Sequence, residues 1–329
     1  MNGIIIKSIG GLYFAESSDG VYECRARGIF RKQGVSPAVG DNVVFENGVI
    51  TEISERKNCL IRPLLANLDY LVFVISVSQP APNMLLLDKF IAVAEYQGIA
   101  PIIAVTKIDI ESCEKIVEIY KSAGITVFAI DYSRNDPAKE IRTLLKNKIS
   151  AFTGNSGAGK STLLNAICSD FNIPTGEISR KLGRGRHTTR HAELYKLPWG
   201  GYIADTPGFS TFETDKYNII KKEELSECFR EFKRFKNECK FRDCSHTKEK
   251  GCRIIRAVEE GIISKSRHES YCKMYNDAKI SRIGSYRDWD IIKNAIYLQV
   301  RLNQAAQELN LTTINIRFVQ MGDTCLLKE

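Results

Sequence analysis

Residues Gly154 to Ser161 read GNSGAGKS and fill the spacing G-x-x-x-x-G-K-[ST]. The run follows an apolar stretch, ISAFT at Ile149 to Thr153, and precedes an apolar helical stretch from Thr162 to Cys168. In that setting glycines let backbone N–H groups turn toward phosphate, and the positive end of the following helix adds to the same field. Lys160 is expected to reach the β- and γ-phosphates of a nucleotide, and Ser161 to offer an oxygen to Mg²⁺. Gly154, Asn155, Ser156, Gly157, Ala158, Gly159 and Thr162 complete the expected contact surface.

A second element, Thr106-Lys107-Ile108-Asp109, ends the apolar stretch PIIAVT and is a variant of Asn-Lys-x-Asp. Its aspartate can accept two hydrogen bonds from guanine N1–H and the 2-amino group. Adenine has neither donor there, so it would leave a carboxylate unpaired, and sites of this kind discriminate by about 10⁴ or more. Lys107 is expected to lay its stem along the base. Thr106 replaces an amide with a shorter hydroxyl, so the guanine reading rests on Asp109.

A third element, Asp205-Thr206-Pro207-Gly208, again follows a strand signal. Asp205 is expected in the Mg²⁺ shell, and the Gly208 N–H can bond a γ-phosphate and release it after hydrolysis. Between the phosphate loop and this third element, Arg180 to His191 reads RKLGRGRHTTRH, with five Lys/Arg and no acid, which predicts a switch loop. Thr188 or Thr189 would complete the Mg²⁺ shell. Phe209 stands where many GTPases carry the water-orienting glutamine, so His187 is the candidate for that task, beside a plain surface role.

These elements need a scaffold that brings their ends together. From about Leu68 apolar strand signals alternate with helical stretches: YLVFVISV at Tyr70 to Val77, PIIAVT, ITVFAI at Ile125 to Ile130, and ISAFT. This predicts a mostly parallel sheet wrapped by helices. Two more strands, Ala192 to Leu197 and Gly201 to Ala204, flank a turn at Pro198 to Gly200. Upstream, five short alternating runs between Ile4 and Ile53, punctuated by glycines, predict a small antiparallel barrel of OB-like form. The overall reading is a multidomain α/β protein: barrel over residues 1–62, nucleotide domain over 63–213, a helical cysteine-bearing domain over 214–285, and a tail over 286–329.

In that third domain Cys239, Cys244, His246 and Cys252 form C-x4-C-x-H-x5-C. Three thiolates and one imidazole make a closed tetrahedral site for one structural Zn²⁺, with no open position for chemistry. The other cysteines are scattered and read as packing residues. Residues 221–256 hold twelve Lys/Arg against seven Asp/Glu, which concentrates here much of the chain's formal charge of +8 and fits a polyanionic partner. Residues 1–60 have seven of each sign, with a local basic group at Arg25, Arg27, Arg31 and Lys32. No apolar run is long enough to span a bilayer, and the start MNGIIIKSIGG lacks the apolar region of a signal peptide, so a cytoplasmic protein with reduced thiols and no membrane partner is expected.

The order of the elements is unusual, because a conventional GTPase begins with its phosphate loop and meets its guanine reader late. Here TKID precedes GNSGAGKS, which precedes DTPG, so the motifs are circularly permuted. The chain then leaves the nucleotide domain just after the element that senses γ-phosphate, and the next domain is tethered to it. With its barrel, TKID, GNSGAGKS, HTTR, DTPG and cysteine cluster, the sequence resembles the circularly permuted ribosome small-subunit biogenesis GTPases of the RsgA family over roughly residues 1–280. The resemblance implies GTP and GDP as ligands, Mg²⁺ and one Zn²⁺. It also implies rRNA binding by the barrel and a GTP-dependent, monomeric role late in maturation of the small (30S) ribosomal subunit. The residues leave two alternatives open, a P-loop ATPase or kinase, and a nucleotide-gated RNA-binding module with negligible hydrolysis. The last segment, with an amphipathic stretch and then TTINIRFV, does not match the family pattern.

Overall fold

The computed structural model describes residues 1–32, 35–60, 63–169, 193–205, 220–235, 237–278, 317–321 and 324–328. Residues 1–274 form one compact unit and residues 275–329 a second.

The alternating N-terminal runs form β1 (Asn2–Ile9), β2 (Leu12–Ser17), β3 (Gly20–Ala26), β4 (Asn42–Glu46) and β5 (Val49–Ile53). They close into a barrel in the order β1-β2-β3-β5-β4, with β3 and β5 parallel and the other pairs antiparallel. Ile5, Ala15, Cys24, Val43, Phe45 and Ile50 point inward and are buried, as the period of two in a strand requires. A one-turn helix, α1 (Gly28–Lys32), follows β3 and is an element the alternation did not signal. A two-stranded connection, β6 (Cys59–Leu60) and β7 (Leu65–Ala66), leads on.

The nucleotide domain then runs β8 (Tyr70–Ser76), α2 (Met84–Tyr96), β9 (Ala100–Thr106), α3 (Glu114–Ser122), β10 (Thr126–Ala129), α4 (Lys139–Leu145), β11 (Ile149–Gly154), α5 (Lys160–Ile167), β12 (Leu194–Lys196) and β13 (Tyr202–Asp205). The sheet order is β10-β9-β8-β11-β13-β12, parallel throughout except for β12 at its edge. Strands β8 and β9 are buried along almost their whole length because both faces are covered. Leu71, Phe73, Ile75, Ile103 and Val105 face one apolar cluster, and Val72, Val74, Ile102, Ala104 and Phe152 face the other. The chain enters this sheet at β8, and the phosphate-loop strand β11 comes fourth although it lies between β8 and β13. The permutation inferred from motif order is therefore present in the sheet.

Beyond residue 220 the described chain is less helical than its sequence suggests. Two short 3-10 segments, Leu225–Cys228 and Arg230–Phe235, precede the cysteine-bearing stretch, which is turns and bends. Only then come α6 (Arg253–Glu259) and a helix over 265–278. Bringing Cys239, Cys244, His246 and Cys252 together requires the chain to double back, and Asn237, His246 and Gly251 all take positive φ. In the second unit the described residues form one antiparallel hairpin, β14 (Arg317–Met321) and β15 (Thr324–Lys328). The strand expected around TTINIRFV matches this hairpin only at its end; 312–316 and the expected amphipathic helix lie outside the described residues. Among the described residues no helix is long and apolar enough to cross a membrane.

Candidate functional site

Because β9, β8, β11 and β13 are parallel and adjacent, their carboxyl ends share one edge of the sheet. Thr106 ends β9 opposite Ser76 of β8, Gly154 ends β11 opposite Val74, and Asp205 ends β13 opposite Phe152. Three sequence elements separated by up to a hundred residues thus meet at the edge where open α/β sheets bind ligands.

The phosphate loop is shaped by its glycines. Gly157 and Gly159 have φ of +80° and +86°, which side chains with a Cβ avoid, and alternating handedness of this kind turns successive N–H groups into an anion-binding concavity. A Cβ at Gly154 would lie 2.4 Å from the Val74 carbonyl oxygen, so the strand can pack this closely only with glycine. Helix α5 begins at Lys160, with Ser161 nearly buried beside it. This concavity at a helix N-terminus fits a polyphosphate.

Thr106 is fully buried, and its hydroxyl donates to the Ala158 carbonyl across 2.6 Å, with the Ile75 carbonyl 3.1 Å away. The residue that departs from the asparagine pattern therefore ties the TKID element to the phosphate loop. Lys107, next along, has φ +59° and its Nζ donates to the Gln79 carbonyl. The backbone reverses there, Ile110 N–H bonding the Lys107 carbonyl, and Asp109 is left exposed on the turn. Gln79 escaped the sequence reading because it acts through its backbone oxygen.

Of the other predicted residues, Asp205 has its backbone in the sheet, while His187, Thr188, Thr189 and Gly208 lie outside the described residues. Strands β12 and β13, which border the segments carrying them, are gripped by the barrel. Lys7 of β1 bridges to Glu193 with an Nζ–Oε1 distance of 2.9 Å. Glu16 of β2 accepts from Lys196 Nζ at 2.9 Å and from the Tyr202 hydroxyl at 2.5 Å. Burial works against the Glu16 carboxylate, but these two donors hold its pKa below the usual value. No local motif marks these residues.

The four predicted metal-ligating residues come together. Cys239 Sγ lies 3.6 Å from His246 Nδ1 and 3.8 Å from Cys252 Sγ, and His246 Nδ1 lies 3.4 Å from Cys252 Sγ. All four ligand atoms, Cys244 Sγ included, lie within 4.8 Å of one another. A tetrahedron with metal–sulfur bonds of about 2.3 Å and metal–nitrogen bonds of about 2.0 Å has edges of roughly 3.5–3.8 Å, so this donor set can hold one ion. Burial lowers the His246 pKa and raises the Cys244 thiol to about 12, so an ion binding there would have to displace a thiol proton. Around the cluster, His268 Nε2 lies 2.7 Å from the His246 carbonyl and the Tyr271 hydroxyl donates to the Ser245 carbonyl at 2.9 Å. Glu249 is drawn down to about 2: burial opposes this, but the Ser245 hydroxyl and the backbone N–H groups of Lys248, Glu249 itself and Ser245 outweigh it. Cys24, Cys168 and Cys228 are buried away from this group and serve packing.

The region carrying the cluster is joined to the nucleotide domain by a buried ion network. Arg267, 1% exposed, donates from Nη1 to Asp88 of α2 at 2.7 Å and from Nε to Glu231 at 2.8 Å. The Tyr120 hydroxyl of α3 also bonds Asp88, and the guanidinium lies 4.7 Å from the Phe229 ring centroid. Arg230 pairs with Glu95 beside it.

A five-stranded closed barrel ahead of a permuted parallel sheet, with a phosphate loop on a central strand and a Cys₃His cluster beyond, defines a circularly permuted P-loop GTPase. The RsgA GTPase family matches residues 53–215, and the RsgA N-terminal domain matches residues 2–52. The small ribosomal subunit biogenesis GTPase RsgA of Caldanaerobacter subterraneus subsp. tengcongensis is 42% identical over 296 residues, covering 88% of this chain and 99% of that protein. The protein of the same name from Streptococcus pneumoniae is 44% identical, covering 86% and 96%. Among solved structures, YjeQ from Thermotoga maritima is 34% identical with a TM-score of 0.71, covering 84% of this chain and 98% of that one. YloQ, described as a circularly permuted GTPase, is 37% identical with a TM-score of 0.69, covering 85% and 95%. The chain belongs to the RsgA family and is a GTP hydrolase.

Proposed function

We propose that this GTPase binds the small ribosomal subunit and its rRNA in its GTP form, assists a late step of subunit maturation, and leaves after hydrolysis. The small-subunit role is supported by the names its relatives carry. The observation that carries the mechanism is the Thr106–Ala158 hydrogen bond, which links the base-reading and phosphate-binding elements at one sheet edge.

Asp109, exposed on its turn, reads guanine by accepting from N1–H and the 2-amino group, with Thr106, Lys107 and Ile108 shaping the base pocket. The backbone from Gly154 to Thr162 cradles the phosphates, and the Lys160 ammonium neutralises the β- and γ-oxygens. Mg²⁺, when bound, supplies charge neutralisation between those oxygens; Ser161, Asp205 and Thr189 would hold it. Gly208 reads the γ-phosphate through its N–H, and His187 orients the attacking water. Cys239, Cys244, His246 and Cys252 hold one Zn²⁺ that fixes the loop rather than reacting, since all four positions are filled by protein. The barrel and the basic 221–256 region contact rRNA from a cytoplasmic monomer.

GTP turnover measured with and without purified small subunits tests the proposal. Subunits are expected to stimulate turnover, and a non-hydrolysable analogue is expected to retain the protein on them where GDP does not. No stimulation, with equal retention in every nucleotide state, would reduce the protein to an RNA-binding module. Equal competition by ATP and GTP would remove the guanine reading.

A further inference from the structure

The cysteine-bearing loop 239–252 presents an aromatic ring, Phe241, to solvent. The neighbouring aromatics are consumed by packing: Phe229, Phe232 and Tyr271 are buried against one another, and the Arg253 guanidinium lies 4.4 Å from the Phe235 ring centroid. Phe241 is 47% exposed. Its neighbours Lys240 and Arg242 are exposed too, and the Lys240 Nζ lies 5.6 Å from the Phe241 ring centroid. Lys248 and Lys250 are exposed on the same loop, and among the described residues no carboxylate pairs with any of these four cations. Of the two acids in the loop, Asp243 is exposed and Glu249 is taken up by Ser245 and backbone N–H groups.

The ring stands on a fixed base. It lies between the ligand residues Cys239 and Cys244, and the Lys240 N–H donates to the Gly251 carbonyl at 3.2 Å. Gly251 also leaves room for the Lys240 stem, which a Cβ there would approach within 3.2 Å. A single aromatic among cations is unlike a protein-binding hot spot, whose centre is depleted of charge and flanked by further apolar surface. It has the composition of a platform for an unpaired base: one π-face for stacking, and ammonium and guanidinium groups for the adjoining phosphates.

We infer that Phe241 stacks on a base of a single-stranded RNA segment while Lys240, Arg242, Lys248 and Lys250 contact its backbone. The inference rests on the subunit docking proposed above and names the chemistry of one contact in it. Duplex RNA, with its bases paired and stacked, offers this platform nothing but charge.

The test uses the full chain with a non-hydrolysable GTP analogue, in two assays: binding of a labelled single-stranded RNA oligonucleotide against a duplex of the same sequence, and co-sedimentation with small subunits. Phe241→Ala is expected to weaken single-strand binding about tenfold and to leave the weak duplex binding alone, the loss typical of one stacked base. Phe241→Trp is expected to keep the affinity and to show indole quenching on adding the single strand, read against the parent protein's two tryptophans. Metal content and basal GTP turnover should be unchanged in both variants, since Phe241 belongs neither to the four-residue donor set nor to the phosphate loop. Parental single-strand affinity in Phe241→Ala, an unquenched Phe241→Trp, or equal losses on single strand and duplex would overturn the inference. So would a Phe241→Ala that loses subunits but keeps RNA, which would make the contact a protein one. If the parent protein itself does not sediment with subunits, the docking proposal fails, and the oligonucleotide assay still decides whether the platform exists.

Discussion

Thr106→Val isolates one hydrogen bond without changing side-chain shape. Thr106 is 0% exposed and its hydroxyl lies 2.6 Å from the carbonyl of Ala158, itself 1% exposed, so no water can replace the lost donor. Leaving a buried acceptor unsatisfied costs about 1–3 kcal/mol. If the loop must hold this position to bind phosphate, the cost appears as a lower population of the binding-competent loop and divides the affinity by the same factor. A mid-range cost predicts about a tenfold to thirtyfold rise in Kd. GTP and GDP should lose equally, because the tie acts on the loop as a whole, and the preference for guanine over adenine should persist, because Asp109 is untouched. Thr106→Ser, which keeps the hydroxyl, should restore most of the affinity. Fluorescent-nucleotide titration with GTP, GDP and ATP competitors measures all of this. Unchanged affinity in Thr106→Val would refute the reasoning, and so would a collapse of guanine selectivity with GTP affinity intact, which would make Thr106 a base reader.

Asp109→Asn should shift preference from guanine to xanthine nucleotides, because the amide presents a donor where the carboxylate presents only acceptors; competition binding would detect unchanged GTP preference as the contrary result. Cys244→Ala should remove the bound ion, seen by elemental analysis, and unfold the loop while nucleotide binding remains; a folded, metal-free parent protein would contradict this. Arg267→Met should destabilise the protein by about 3–5 kcal/mol in denaturant unfolding, because Asp88 and Glu231 lose their buried cation. A loss below about 1 kcal/mol would show the pair to be dispensable. The Glu16 pKa is lowered in the folded chain from its usual 4.5, so its contribution to stability is present above that value and is lost as pH falls below it. Glu16→Gln should flatten that part of the acid-unfolding curve, and an unaltered curve would mean that the contact with Tyr202 and Lys196 adds nothing.

Much of the site was legible because each element carries its own local signal. The glycines of GNSGAGKS state the loop geometry, period-two alternation gives the barrel walls, and the Cys/His spacing gives the cluster. Even the permutation could be read, since it is an order of motifs rather than a contact. What escaped depends on partners distant in sequence. Thr106 looked like a weakened base reader, and only the fold brings Ala158 within reach of its hydroxyl. Arg267 reads as an ordinary helical arginine until Asp88, some 180 residues earlier, is found beside it. The stretch with the Cys/His cluster reads as helical because charged and apolar residues alternate there with helical texture, but bringing the four side chains together overrides propensity, with reversals at Asn237, His246 and Gly251.

The permutation leaves the chain exit just after Asp205, which suggests that γ-phosphate sensing moves the region with the Cys/His cluster bodily. The packing argues for a different route. From Ile220 onward the chain is held to α2 by Arg230 on Glu95 and by Arg267 on Asp88. Swinging the region away would break the buried Arg267 network at a cost of about 3–5 kcal/mol. Typical coupling between two sites is about 1–3 kcal/mol, too little to drive that motion. The barrel contacts are cheaper to change. Lys7–Glu193 and Glu16–Lys196 are partly exposed pairs, each worth about 1 kcal/mol or less, and they lie at β12, with the Tyr202 hydroxyl of β13 on the same Glu16 carboxylate. A γ-phosphate contact is large enough to rearrange those pairs. On these energies the barrel contacts at β12 and β13 are the cheaper route by which nucleotide state would reach a bound partner, and the region holding the Cys/His cluster the costlier one.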